Sequence, residues 1–129
     1  MKIQLVHNVI TTSNMDACVD FYTRHFGFEV VADAGFYKHL RAAEGVELAF
    51  MQPDHSSQPA LYQPEWRGQG LIITLQVADV RGAYAAVNEA GLPIAFELKR
   101  EDWGQTHFGV RDPNGIPVDI VQYDEAGSR

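Results

Sequence analysis

The sequence predicts an α+β fold of two tandem βαβββ modules, whose curved mixed β-sheets surround a cavity. Three observations predict it. An order of strand, helix and three strands occurs twice in the apolar pattern. The stretches "FGFEV" at 26–30 and "AGLPI" at 90–94 hold the same place after each helix, as an internal duplication would leave them. Finally, 129 residues of which 46% are hydrophobic suffice for one domain with a real core, without disulfides or a structural metal. The expected single domain, 1–129, divides into module one at 1–53, a connector at 54–70, module two at 71–123 and a tail at 124–129.

The first strand is "IQLVHNVIT" (3–11), rich in β-branched residues. Ser13 or Asn14 then offers an N-cap, with Asp16 in the first turn. Met15, Cys18, Val19, Tyr22 and Phe26 follow helical spacing, and Gly27 stands where a C-terminal glycine ends a helix. "FEVVAD", "GFYKHLRA" and "VELAFMQ" read as three strands. After the polar, proline-containing stretch 53–70 the order repeats: strand "LIITLQV", a cap at Asp79, a helix face of Val80, Ala83, Tyr84 and Val87, a stop at Gly91, and strands "PIAFEL", "THFGVRD" and "IPVDIVQ". "DPNG" at 112–115 has the residue order of a type I turn.

Successive strand residues point to opposite faces, so the helix-facing set defines the open face by elimination. Val46, Leu48 and Phe50 suit the helix, leaving Glu47, Ala49 and Met51 open. Leu71, Ile73, Leu75 and Val77 likewise leave Ile72, Thr74 and Gln76, and Ile116, Val118 and Ile120 leave Pro117, Asp119 and Val121. On the first strand, Val6 and Ile10 on the helix turn His7, Val9 and Thr11 inward. Matching the two copies at the cap-to-cap spacing pairs His7 with Ile72 and Glu47 with Asp119.

The paired βαβββ pattern, "FYTRHFGFEV" and "FGVRDPNGIPVDIVQ" together resemble the vicinal oxygen chelate superfamily over residues 3–123. That superfamily includes glyoxalase I, extradiol dioxygenases, fosfomycin-resistance enzymes and bleomycin-binding proteins. The resemblance implies the glyoxalase/bleomycin-resistance fold, a homodimer, and, in metal-dependent members, ligands on the first and last strands of each module. Those positions fall on His7, Glu47, Ile72 and Asp119, and Ile72 has no ligand atom.

One imidazole and two carboxylates form a reasonable donor set for divalent Zn, Mn, Fe or Ni. Asp119 is a methylene shorter than Glu, however, and a second inward histidine is not identifiable. His39 sits among polar residues, His55 in the polar connector, and His107 faces the cavity by alternation with Phe108 and Val110. Ordinary alternatives stand beside each role: a hydrogen-bonded strand histidine for His7, and cross-strand ion pairs for Glu47 and Asp119. Aromatic and amide groups favour a binding pocket: Phe36, Tyr37, Tyr62, Trp66, Trp103 and Gln105, with Arg111 either orienting ligand oxygens or pinning its turn. Each tryptophan could equally serve a dimer contact or anchor a loop.

A net charge of -7 argues against nucleic acid and anionic membranes as partners. Cys18, the one cysteine, permits no internal disulfide and fits a reducing cytoplasm, and no signal-like or membrane-spanning apolar run is present. No phosphate-cradling loop or nucleophile elbow appears. The leading expectation is therefore a cytoplasmic, homodimeric small-molecule binder of the bleomycin-resistance type without a catalytic metal, its ligand-facing residues being His7, Glu47, Trp66, Ile72, Thr74, Trp103, Gln105, His107 and Asp119. The alternative is a divalent-metal lyase, isomerase or dioxygenase acting on vicinal oxygens through His7, Glu47 and Asp119, with Glu47 as the catalytic group.

Overall fold

In the computed structural model, which describes residues 1–124, both helices close where the sequence places a glycine. Helix α1 (Met15–Phe26) ends at Gly27 with φ 73°, and α2 (Val80–Glu89) is followed by Gly91 with φ 76°, conformations that cost other residues about 1–2 kcal/mol. Their starts differ. Asp79 accepts a hydrogen bond from the Gly82 N–H at 3.0 Å, a true side-chain cap. Asn14 makes no such bond; Thr12 Oγ1 instead accepts from the Asn14 N–H at 2.9 Å, and Glu65 takes both the N–H and the hydroxyl of Ser13.

The chain divides into two compact units, one from Met1 to Gly68 and the other beginning at Gln69. In the first, β1 (Val9–Thr11), β2 (Glu29–Asp33), β3 (Tyr37–Ala43) and β4 (Val46–Met51) form a sheet in the order β1-β4-β3-β2. The second repeats it with β5 (Ile73–Gln76), β6 (Phe96–Glu101), β7 (Gln105–Arg111) and β8 (Pro117–Tyr123) in the order β5-β8-β7-β6. In each sheet the first and last strands run parallel and the other neighbours antiparallel. The helix between first and second strands is the crossover that a parallel pair requires.

Each core lies between helix and sheet. In the first unit Tyr22 and Cys18 are fully buried, and the Tyr22 ring stacks on Phe50 at 5.6 Å, which fixes Phe50 on the helix side and Glu47 on the opposite face. In the second, Val80 and Val87 are buried with Phe108, Val118 and Ile120, and the Tyr84 ring meets Phe108 edge-on at 5.1 Å. Asp112 holds the "DPNG" turn: its carboxylate accepts from the Asn114 and Ile116 N–H groups at 2.8 and 3.0 Å, and its carbonyl from Gly115 at 2.8 Å.

Three expectations are corrected. The first strand is shorter than 3–11: only Val9–Thr11 is paired, with the Asn8 carbonyl accepting from Ala49, and in this parallel register β4 begins opposite residue 6, so residues 3–5 have no partner in it. Val6 is 74% exposed and does not pack on the helix. The sixth strand starts later than Pro93 and runs on through Lys99, Arg100 and Glu101. The connector holds a one-turn helix (Ala60–Tyr62) and an Asp54–Gln63 backbone bond, and the Trp66 N–H donated to the Thr11 carbonyl at 2.7 Å fastens it to β1. Of the expected tail, 125–129 lies outside the described residues.

Candidate functional site

The open face of the first sheet gathers His7, His39 and Glu47, whose ligand-type atoms all lie within 4.8 Å of one another. Strand order explains the convergence. Glu47 is on β4, which stands between the stretch leading into β1, carrying His7, and β3, carrying His39. His39 is paired with Ala49, two residues beyond Glu47 and on the same face, so acid and imidazole meet diagonally. His39 Nε2 lies 2.6 Å from Glu47 Oε1, its Nδ1 lies 3.1 Å from the Tyr37 hydroxyl, and the His7 ring meets the His39 ring edge-on at 4.5 Å. Burial raises the Tyr37 pKa, so the phenol keeps its proton. The His39 ring thus bridges the phenol and the carboxylate through its two nitrogens.

Tyr37 also lines a groove of about 610 Å³ beside this cluster. Val9 and Thr11 from β1, Met51 from β4, Phe36 before β3, and Leu61 and Tyr62 from the connector form most of its wall. The surface is chiefly apolar, with hydroxyl and amide groups from Thr11, Tyr37, Tyr62 and Gln58. His55, from the polar connector, stacks face to face on Phe36 at 3.8 Å.

In the second unit, His107 Nδ1 lies 2.7 Å from Asp119 Oδ1 and its Nε2 lies 2.9 Å from Glu101 Oε2. Ionised carboxylates only accept hydrogen bonds, so the two contacts together hold a doubly protonated imidazolium. Burial alone would lower the His107 pKa, but the bonds and charges of Glu101 and Asp119 outweigh it and raise the pKa above 6.5. The bond from His107, helped by Lys99, holds Glu101 below the usual carboxylate range.

The other expected site residues are scattered. Ile72 is 60% exposed and precedes β5. Thr74, not Ile72, pairs with Asp119, and the parallel register that pairs Val9 with Ala49 places His7 beside Glu47; His7 and Thr74 are thus the matching positions. Trp103 is exposed, and its indole N–H is donated to Gln105 at 2.8 Å. Trp66 anchors its loop through the backbone, Arg111 pins its turn through the Gly115 carbonyl, and Cys18 is buried in the first core. Two partners were missed by sequence reasoning. His39 is the second inward histidine, detectable only through the β3–β4 register, and Glu101 was hidden because "KRED" reads as a polar loop.

Residues 4–120 match the family model of the Glyoxalase/Bleomycin resistance protein/Dioxygenase superfamily. The chain belongs to this superfamily. Among solved structures, the superfamily fold is shared with a glyoxalase/bleomycin resistance protein/dioxygenase from Nocardioides, at TM-score 0.77 and 18% identity, covering 99% of this chain and 88% of that one. It is shared too with a lactoylglutathione lyase from Agrobacterium tumefaciens, at TM-score 0.75, 20% identity and 92% of each chain. A superfamily member from Sphaerobacter thermophilus gives TM-score 0.73 and 22% identity, over 94% of this chain and 98% of that one. No curated protein matches the chain.

The superfamily's divalent-metal chemistry can be tested against the residues present. Two imidazoles and one carboxylate are the donor set of facial-triad sites, and His7, His39 and Glu47 supply them from adjacent strands. They fit such an ion. Asp119, by contrast, is engaged by His107 within its own unit.

Proposed function

We propose that this superfamily member binds a small, largely apolar or aromatic molecule, a drug or metabolite, in the groove of its first unit. The observation that carries the reading is the apolar wall joined through a single side chain, Tyr37, to the polar His39–Glu47 pair. Such a surface gives affinity by apolar burial and orientation by a few polar groups. Val9, Phe36, Met51 and Tyr62 would cover the ligand's faces, while the Tyr37 hydroxyl would meet an oxygen or nitrogen on it. Binding of this kind needs no chemical step, and the protein would act by sequestration, as a cytoplasmic homodimer.

The test is a thermal-shift screen of small aromatic compounds. A compound at a hundredfold excess over its Kd stabilises the native state by about 2.7 kcal/mol. The shift should vanish in Val9→Arg, which adds a charge to the groove at a position already 43% exposed, and persist in Trp103→Ala in the other unit. Shifts that survive Val9→Arg would remove the groove as the binding site.

A second reading is favoured by the convergence of His7, His39 and Glu47: a divalent-metal-dependent lyase, isomerase or dioxygenase acting on a substrate with vicinal oxygens. A bound ion would supply Lewis acidity toward substrate oxygens. The chain's own part would be Tyr37 orienting the His39 ring and the groove wall excluding water. Turnover of a 2-oxoaldehyde–thiol adduct or a catechol, lost in Glu47→Gln, would establish it over simple sequestration.

A further inference from the structure

We infer that Glu65 is the positioning residue of the groove: through Ser13 it latches a preassembled flap, residues 54–63, in place as one wall. The role rests on the proposed function, in that the groove is where a ligand sits; the construction of the flap does not depend on it.

The flap is built to move as one piece. Its ends meet where the Asp54 N–H is donated to the Gln63 carbonyl at 3.0 Å. Gln63 ties the loop again through its side-chain amide, which donates to the carbonyls of Gln58 at 2.9 Å and His55 at 3.3 Å. The Tyr62 N–H, donated to the Pro59 carbonyl at 2.9 Å, closes the one-turn helix. A surface loop whose ends touch and whose polar groups are satisfied from within keeps its own shape. Asp54, at φ 62°, sits in the left-handed region between β4 and the flap, a conformation that aspartate tolerates better than most residues.

The groove lies between this piece and the sheet. Gln58, Leu61 and Tyr62 of the flap line it together with Val9, Thr11 and Met51 of the strands. Leu61 is 83% exposed, so the flap presents apolar surface that the core does not cover and that a seated ligand would. Groove width therefore depends on where the flap is held.

Its place is set at both ends. Near the start, the His55 ring stacks on Phe36. After the end, the Trp66 N–H is donated to the Thr11 carbonyl, and one carboxylate oxygen of Glu65 accepts both the hydroxyl and the N–H of Ser13. The Ser13 hydroxyl bond first, and the N–H bond second, hold the Glu65 carboxyl below the usual carboxylate range, so it stays an anion that only accepts. Ser13 is exposed, and water competes for these bonds, which makes the latch one that can open. An open latch lowers the fraction of molecules with a complete groove, and apparent affinity falls by that fraction.

The experiment pairs amide hydrogen exchange, which needs no ligand, with titration of N-phenylnaphthylamine, an uncharged aromatic probe. In Glu65→Ala the amides of Ser13 and Trp66 should exchange about tenfold faster while those of Asp54 and Tyr62 keep their rates, the pattern of an intact flap released at one end. The probe's Kd should rise about tenfold in Glu65→Ala. Glu65→Gln should restore most of the affinity, because its amide oxygen accepts the same two bonds. Leu61→Ala should also weaken the probe, and adding Glu65→Ala to it should cost much less than in the unmutated background, since both act through one wall. A merely structural Glu65 would lower the melting temperature, leave Kd unchanged and show no such coupling. Faster exchange of Asp54 and Tyr62 along with Trp66, an unchanged Kd in Glu65→Ala, or full additivity with Leu61→Ala would overturn the inference. A probe that fails to bind the unmutated protein would overturn the groove reading instead, and the exchange pattern alone would then uphold or overturn the flap.

Discussion

Glu101 and Asp119 engage both ring nitrogens of His107, and that constraint has a pH signature. Its folded pKa is raised above 6.5, so its stabilising contribution is fully present below about pH 6.5 and is lost as pH rises through the raised value. Glu101 has the opposite sign: its pKa is held below 4.5, so its contribution is present above pH 4.5 and is lost as pH falls through the lowered value. The difference in melting temperature between unmutated protein and His107→Gln should be greatest near pH 5.5 and shrink steadily toward pH 9. A difference independent of pH would show that His107 acts by packing against Phe96, whose ring is 4.7 Å away, and not by charge.

The helix ends were legible in the sequence, and their energetics can be checked at that scale. Asp79→Ala removes a cap bond and should cost about 1 kcal/mol in urea unfolding, whereas Asn14→Ala removes no cap bond and should cost a few tenths at most. Gly27→Ala meets no atom within 4 Å, so its cost of about 1–2 kcal/mol should be purely conformational and should repeat at Gly91. Helix faces and strand alternation were readable for the same reason: period and punctuation are local properties. Register is not local. The diagonal that joins His39 to Glu47 depends on which residues of β3 and β4 face each other, set by the turn at Gly45 and the irregularity between Arg41 and Ala43. That is why Glu47 was foreseen on the open face and His39 was not recognised as its partner. Glu101 was lost similarly, because paired β6 continues into residues whose composition suits a loop.

Across the whole molecule, the duplication is more exact in register than in sequence. Each unit carries its own buried aromatic, Phe50 or Phe108, so Phe50→Ala and Phe108→Ala should each cost about 3–5 kcal/mol in denaturant unfolding. A cost confined to one of them would mean that the two cores are unequal in a way their burial does not show. Between the matched pairs the chemistry differs by one methylene. The longer Glu47 meets the far nitrogen of His39, while the shorter Asp119 meets the near nitrogen of His107. Side-chain length therefore works as a ruler that decides which edge of an imidazole is occupied and which is left for a third group. In one half the remaining edge fell to a phenol, which can give or take a proton; in the other it fell to a carboxylate, which can only take one. Two copies of one strand pairing thus leave one imidazole with a versatile partner and the other between two fixed acceptors.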